Sequence, residues 1–378
     1  MATETVQTLQ DFLTAAQTGP FVTLYLPLEA GQSVEKTKLI IRHLLDHTQD
    51  VMTQTAPEAD FSLYERALNA HLGAQPLVDV TGQGVGLITD GHSVYQRALE
   101  YPVSQLAMVT ARPQILPMIL DDERHLDFDL LMLQRDRIEL YLNLGDQLTK
   151  TALPEDAPLT LLGTLGEERR GGSVNTVAQG SGQVSYHGHS DRASEEEVDQ
   201  RRYYQAVDTY IADHYSKPNA RRLVLFGLPQ NLALFREVSR NSYLSGSMQV
   251  ELNPGNLSFA AIDLALDDLR MAYSQRQAQK LLAQLDNARG AGKYLDALGS
   301  IVAAVQQRAL ATLVIRQGAR IRGRLVDDQI ETESPQAQHN NLLNDLAAMT
   351  VAQGGAVKVL PSSTLSEEVV GISRYAAQ

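Results

Sequence analysis

Apolar and polar residues alternate along this chain in two rhythms, and the changes of rhythm lay out its elements. Between two prolines, Phe21-Val22-Thr23-Leu24-Tyr25-Leu26 is a β-rich run that predicts a strand. Ile40, Ile41, Leu44, Leu45, Val51 and Met52 then recur at helical spacing, with Lys36, Lys38, Arg42 and His43 on the opposite face. A further helix is predicted over 62–72, and strands over 84–88 and 114–120. Strands separated by helices indicate an α/β layer.

A second segment opens near Phe128. Two apolar runs, 128–133 and 138–142, flank the polar set Gln134-Arg135-Asp136-Arg137 and predict a hairpin. Over 166–192 the periodicity is lost among Gly, Ser, Gln and Asn, which predicts a long loop. Ser194 and Glu197 have the capping-box spacing and predict a helix start. Val198, Tyr203, Ala206, Val207, Tyr210 and Ile211 supply its apolar stripe. A strand over 222–226 follows, then a Gly227-Leu228-Pro229 turn into a helix over 231–240.

A third segment starts after Asn253-Pro254-Gly255-Asn256. Helices are predicted over 258–288 and 294–310, a strand over 311–315, and a second strand over 319–325. A polar stretch, 331–341, precedes a helix over 342–352, and Gly354-Gly355 separates that helix from a strand over 356–360. No fixed-period repeat is present, which disfavours a solenoid. The breaks give three domains, 1–126, 127–256 and 257–378.

Composition narrows the functional classes. With 45 acidic and 32 basic residues in 378, the net charge is −13, which argues against indiscriminate nucleic-acid binding but leaves room for a local basic patch. There is no cysteine, so disulfides, thiolate metal sites and a cysteine nucleophile are excluded. No apolar run reaches bilayer length, and Met1-Ala2-Thr3-Glu4-Thr5 lacks a basic-then-apolar leader, so a soluble, cytoplasmic protein without a membrane partner is expected.

Few residues offer chemistry. Gly171, Gly172 and the glycines around Gln183 would let backbone amides approach an anion or ester; a plain surface loop is the alternative. His187 and His189 offer two imidazoles but no third ligand at a defined spacing, so neither a metal nor a cofactor is expected. In the predicted strand, Arg320, Arg322 and Arg324 alternate with Ile321 and Gly323, which would place three guanidiniums on one face, with Arg316 nearby. That is a phosphate ladder, or an edge strand kept soluble by charge.

The order of these segments resembles the bacterial members of the archaeo-eukaryotic release-factor superfamily, relatives of the eukaryotic class-one peptide release factor and of Pelota. The resemblance rests on Leu24-Tyr25-Leu26-Pro27 with the helix after it, and on the 128–142 hairpin. It continues through His187-Gly188-His189, the tract Tyr203-Tyr204-Gln205-Ala206-Val207-Asp208 and Leu223-Val224-Leu225-Phe226-Gly227. The end of the chain adds Leu342-Leu343-Asn344-Asp345-Leu346-Ala347, residues 354–360 and Gly371-Ile372-Ser373-Arg374-Tyr375.

The resemblance implies three α/β domains: an amino-terminal one, a ribonuclease H-like middle domain, and a carboxy-terminal domain like the kink-turn-binding ribosomal proteins. It implies work on stalled ribosomes, with the ribosome, tRNA or rRNA as partner, read by shape, and a translational GTPase as a second partner. Lys36, Lys38, Arg42, Arg169, Arg170, Arg320, Arg322 and Arg324 would make the phosphate contacts. Release factors hydrolyse peptidyl-tRNA with a Gly-Gly-Gln loop, whose counterpart here would lie in 166–192, with Gly171, Gly172, Gln183, His187 and His189 as its candidates. Ser173 follows Gly171-Gly172, however, and Gln183 follows a single adjacent glycine. The missing motif counts against a hydrolase, because catalysis by positioning fails with small displacements. No Asn-Ile-Lys-Ser codon-reading motif is present. An interaction protein that has lost ribosome binding is the remaining alternative.

Overall fold

This computed structural model describes residues 4–15, 19–29, 31–73, 77, 82–145, 147–166, 188–255, 257–326 and 329–376, without the side chains of 4–5 and 188–194. It is an α/β protein of two compact units, one made of residues 1–125 with 275–378 and the other of 126–274.

The amino-terminal part builds a five-stranded sheet from β1 (Glu4–Thr5), β2 (Phe21–Pro27), β3 (Gly84–Thr89), β4 (Ser93–Leu99) and β5 (Leu106–Thr110), ordered β1-β4-β3-β2-β5. All pairs are antiparallel except β1 with β4. Alternation along β2 sends Val22, Leu24 and Leu26 to one face and Phe21 and Tyr25 to the other. The first face is covered by α2 (Val34–Thr55) and α3 (Phe61–Asn69). Ser33 starts α2 by accepting the Lys36 amide at 3.2 Å, and Asp60 starts α3 by accepting the Ser62 amide at 3.0 Å. The second face meets α1 (Leu9–Ala15) and α4 (Leu116–Arg124). The strand predicted over 114–120 is therefore a helix. Its short apolar run is buried, so periodicity could not separate the two forms, and Pro117 fits the first helical turn.

In the second unit, β6 (Phe128–Leu133), β7 (Ile138–Leu144) and β8 (Gln147–Thr151) form an antiparallel meander. After α5 (Leu161–Leu165) and α6 (Gly188–Ile211), which runs on through a π-turn at Ala212–Ser216, β9 (Arg222–Gly227) joins parallel to β6. Next come α7 (Pro229–Val238) and β10 (Leu244–Glu251), which pairs parallel to β9, so the order is β10-β9-β6-β7-β8. Tyr203, Val207 and Phe235 cover one face of this sheet. Ile262 and Leu266, from α8 (Phe259–Gly290), cover the other. Burial on both faces explains the unbroken apolar runs in β6 and β9.

The loop predicted over 166–192 ends earlier than expected, because α6 already begins at Gly188 and the capping-box pair Ser194 and Glu197 lies inside it. Ala193 and the following glutamates are good helix formers and let the helix extend backwards.

The last part of the chain returns to the first unit. A sheet ordered β11-β16-β12-β15 is made from β11 (Tyr294–Leu295), β12 (Leu310–Arg316), β15 (Ala356–Leu360) and β16 (Val369–Ser373). Only β12 and β15 are parallel. Between them lie α9 (Leu298–Gln306), preceding β12, then the hairpin β13 (Arg324–Val326) and β14 (Gln329–Glu331), and α10 (Pro335–His339) and α11 (Leu342–Ala352). The helix predicted over 294–310 is thus shorter, since Tyr294 and Leu295 pair instead with Ile372 and Gly371 of β16. The polar stretch 331–341 holds α10, capped by Ser334.

One core runs through both parts of this unit: Phe12, Phe21, Tyr25 and Met118 pack with Ile301, Leu313, Leu342, Leu346 and Val357. Polar contacts reinforce it. The Asn344 carboxamide oxygen accepts the amides of Ile115 and Leu116, each at 3.0 Å, and so caps α4 from the far end of the chain. Its nitrogen donates to Gln114, whose own nitrogen donates to Asn340 at 3.0 Å. Asn340 donates to the Gly323 carbonyl and to Asp345, which also accepts the Leu325 amide at 3.0 Å.

Replacing Asn344 by alanine strands two backbone donors and the Gln114 oxygen. Loss of about 2–4 kcal/mol is expected in denaturant unfolding; a loss under about 0.5 kcal/mol would show that the network is dispensable.

Candidate functional site

The carboxyl ends of the parallel strands β6, β9 and β10 converge on a cleft of about 420 Å³ in the second unit. Open α/β sheets bind ligands at such ends. Its walls are carboxamides: Gln134 from the hairpin turn, Gln200 from α6, Gln230 and Asn231 from α7, and Asn253 after β10. The buried Gln200 nitrogen donates to Asn231 Oδ1 and to the Tyr204 hydroxyl oxygen, both at 3.0 Å. Tyr204 in turn donates to the Gln134 carbonyl at 2.9 Å, and burial pushes its phenol up to about 12. At the mouth, Arg135 pairs with Glu196 at 2.5 Å. Among the described residues that line it, Asp136 is the one carboxylate, and no serine, threonine or histidine is present. The cleft offers hydrogen bonds, arranged by a tyrosine that stays neutral. Sequence reasoning saw Gln134 and Arg135 only as turn residues; the strand order was the signal that would have joined them to Asn231.

Asp129 and Asp136 do not form an acid–base couple. Asp136 is exposed in the turn, whereas Asp129 sits in β6, with four residues or about 13 Å of strand between it and that turn. Arg221 Nε donates to Asp129 Oδ1 at 3.1 Å, and Oδ2 is buried with no hydrogen-bond partner among the described residues. Burial outweighs the arginine and raises the Asp129 carboxyl above its ordinary range.

The predicted phosphate contacts fall in separate places. Lys36, Lys38 and Arg42 lie on the exposed side of α2, Lys36 against Glu29 at 2.5 Å and Lys38 against Glu35 at 2.9 Å. Residues 320–324 do not make a ladder. Gly323, at φ +139°, breaks the alternation, and the strand begins only at Arg324. Arg320 donates to the His339 carbonyl at 3.1 Å, the exposed Arg322 bridges to Asn341 through its backbone, and Arg324 pairs with Glu331. Arg169, Arg170, Gly171, Gly172, Gln183 and His187 lie outside the described residues, as does the side chain of His189. Among the described residues, no helix is long and apolar enough to cross a membrane.

Residues 126–269, the span that builds the carboxamide cleft, match the sequence model of bacterial archaeo-eukaryotic release factor family 6. The resemblance to the release-factor superfamily holds over that stretch. Solved structures similar to the chain include an archaeal translation termination factor, aRF1, at 15% identity and TM-score 0.24, covering 98% of this chain and 99% of that one. Dom34 of S. cerevisiae, described as a termination-like factor in RNA quality control that interacts with Hbs1, is similar at 10% identity and TM-score 0.39, covering 79% and 76%. An archaeal Pelota, in a ribosome-bound assembly with ABCE1, is similar at 11% and 0.39, covering 99% and 96%. The whole-chain likeness is weak, and the family match covers 126–269. No curated protein matches.

The raised carboxyl of Asp129 has a thermodynamic consequence. Between the unfolded value near 4 and the higher folded one, the native protein holds this proton more tightly than the unfolded chain. Stability from this group is complete below that window and is lost as pH rises through it. Asp129→Asn is expected to flatten the decline in stability just above pH 4, measured by urea unfolding across pH; an unchanged slope would contradict it.

Proposed function

We propose that this chain is a release-factor-like protein that works at the ribosome without reading codons, in rescue or quality control of stalled ribosomes. The observation that carries the reading is the family match over 126–269. The strand order of the second unit supports a ribonuclease H-like middle domain: an antiparallel meander with two parallel strands added beside β6. The three segments, 1–126, 127–256 and 257–378, hold one main sheet each, and we read them as three domains of which the first and last share one core, the last being like the kink-turn-binding ribosomal proteins.

Recognition of tRNA or rRNA by shape suits an acidic chain with a few local cations. Lys36 and Lys38 are suited to phosphate contact, because exposed pairs such as theirs contribute only about 0–1 kcal/mol and yield to a phosphate. Arg42 shares their helix, one turn on from Lys38. A translational GTPase is the proposed second partner.

Sedimentation of stalled ribosomes with the purified protein tests the reading. Co-sedimentation at about 50 mM salt that fades by about 200 mM is expected, and Lys36→Gln, Lys38→Gln and Arg42→Gln together should weaken it. Absence from every ribosomal fraction at low salt would overturn the proposal.

A further inference from the structure

The first unit contains a cavity of about 470 Å³ that none of the foregoing function uses. Its size is that of a small-molecule site. Val103, Leu106, Leu116 and Leu120 supply apolar walls, and three guanidiniums, Arg124, Arg316 and Arg320, stand around it. In a chain of net charge −13 such a concentration of cations needs a reason.

The cations are held in place with donors to spare. Arg316 closes β12, and the Gln317-Gly318 turn folds the chain back, with the Ala319 amide donating to the Arg316 carbonyl at 2.9 Å. Gly318 takes φ +78° to make that turn. Arg316 and Arg320 therefore both line the same cavity. Arg316 meets Glu368 only at 3.8 Å, and Arg320 gives one bond to the neutral His339 carbonyl. The Arg316–Glu368 ion pair is thus longer than a hydrogen bond, and among the described residues no ion pair is found for Arg320.

Two tyrosines, Tyr25 and Tyr101, also line the cavity. Asp121 Oδ1 accepts the amides of Glu100 and Tyr101 at 2.9 and 3.1 Å, while Oδ2 takes Arg97 at 2.8 Å. Arg97 also pairs with Asp122 at 2.6 Å, so it is shared by two carboxylates, and Asp121 fixes the backbone that carries Tyr101. The Tyr101 hydroxyl donates to the Arg124 carbonyl at 2.8 Å, and the Arg124 guanidinium lies 5.4 Å over the Tyr101 ring. Gln105 and Gln317 add polar side chains to the lining, while the Asn341 oxygen there is engaged by the Ile321 and Leu343 amides.

We propose that this cavity binds a nucleoside monophosphate, either as a free nucleotide or as the phosphorylated end of an RNA. The planar base packs against Tyr101 and the apolar wall, the phosphate meets Arg316 and Arg320, and the Gln105 and Gln317 carboxamides face the polar edges of base and ribose. A planar cation fork is matched to phosphate oxygens, and an aromatic platform to a base. A fatty carboxylate would satisfy the walls but could engage only one of the two guanidiniums fully. The site lies outside 126–269, so the proposal does not rest on the ribosomal reading.

Calorimetric titration of the full chain with AMP, adenosine and inorganic phosphate tests it, together with a short RNA carrying or lacking a 5′ phosphate. AMP is expected to bind at least tenfold more tightly than adenosine or phosphate. Arg316→Gln and Arg320→Gln should each weaken AMP binding by about tenfold. Tyr101→Ala should bring AMP down to the affinity of phosphate, while Tyr101→Phe, which keeps the ring, should retain most of the binding; thermal melts confirm that the variants fold. Binding of the phosphorylated RNA but not of AMP supports the same chemistry and identifies an RNA end as its source. AMP binding no tighter than phosphate, with no preference for the phosphorylated RNA, would overturn the proposal. So would affinities unmoved by both arginine changes, or preference for a fatty carboxylate.

Discussion

A buried cluster of carboxamides turns the two ends of this chain into one unit. Gln114 stands at the end of the first 125 residues, and Asn340, Asn344 and Asp345 belong to the last hundred. Hydrophobic burial alone would hold these parts together in many registers. Buried amides tolerate few, because each donor left unpaired costs far more than a formed bond contributes. Asp345 shows what the arrangement tolerates: burial raises its carboxyl above the ordinary range, and one of its oxygens has no hydrogen-bond partner among the described residues.

From this cluster the rest of the unit follows. Asn344 caps α4, and α4 supplies Leu116, Leu120, Asp121 and Arg124 to the arginine-lined cavity. Arg112, just before Gln114, donates to the Leu325 carbonyl at 3.1 Å and fixes the hairpin that carries Arg324. The α4 side of the cavity thus depends on contacts between residues more than two hundred positions apart. The second unit is organised differently. Its sheet is covered by residues from within 126–274, and its carboxamide cleft is made by the ends of its own parallel strands.

What the sequence made legible follows from whether the determining contact is local. The helix and strand predicted over 342–352 and 356–360 coincide with Leu342–Ala352 and Ala356–Leu360, because the Asn341 cap and the Gly354-Gly355 stop are neighbours in sequence. The β6–β7 hairpin was equally plain. By contrast, the apolar run of α4 predicts a strand, because the helix cap is Asn344, which no local window contains. Strands β4, β5, β10 and β16 were missed because they mix exposed and buried positions or are short. The arginine ladder failed at one residue, Gly323, whose φ turns the chain out of the two-residue period. Of the candidate sites, the sequence suggested arginines near Arg316 but not Tyr101 beside them, and it held no trace of the carboxamide cleft.

Native-state hydrogen exchange read residue by residue tests the central claim, that both ends of the chain fold as one cooperative unit through the amide cluster. The amides of Ile115, Leu116 and Leu325 should share the slowest exchange with those of β2, β3 and β12, all reporting one global opening. If residues 1–125 exchange through an opening markedly easier than that of 294–373, the two parts are independent and the account is wrong.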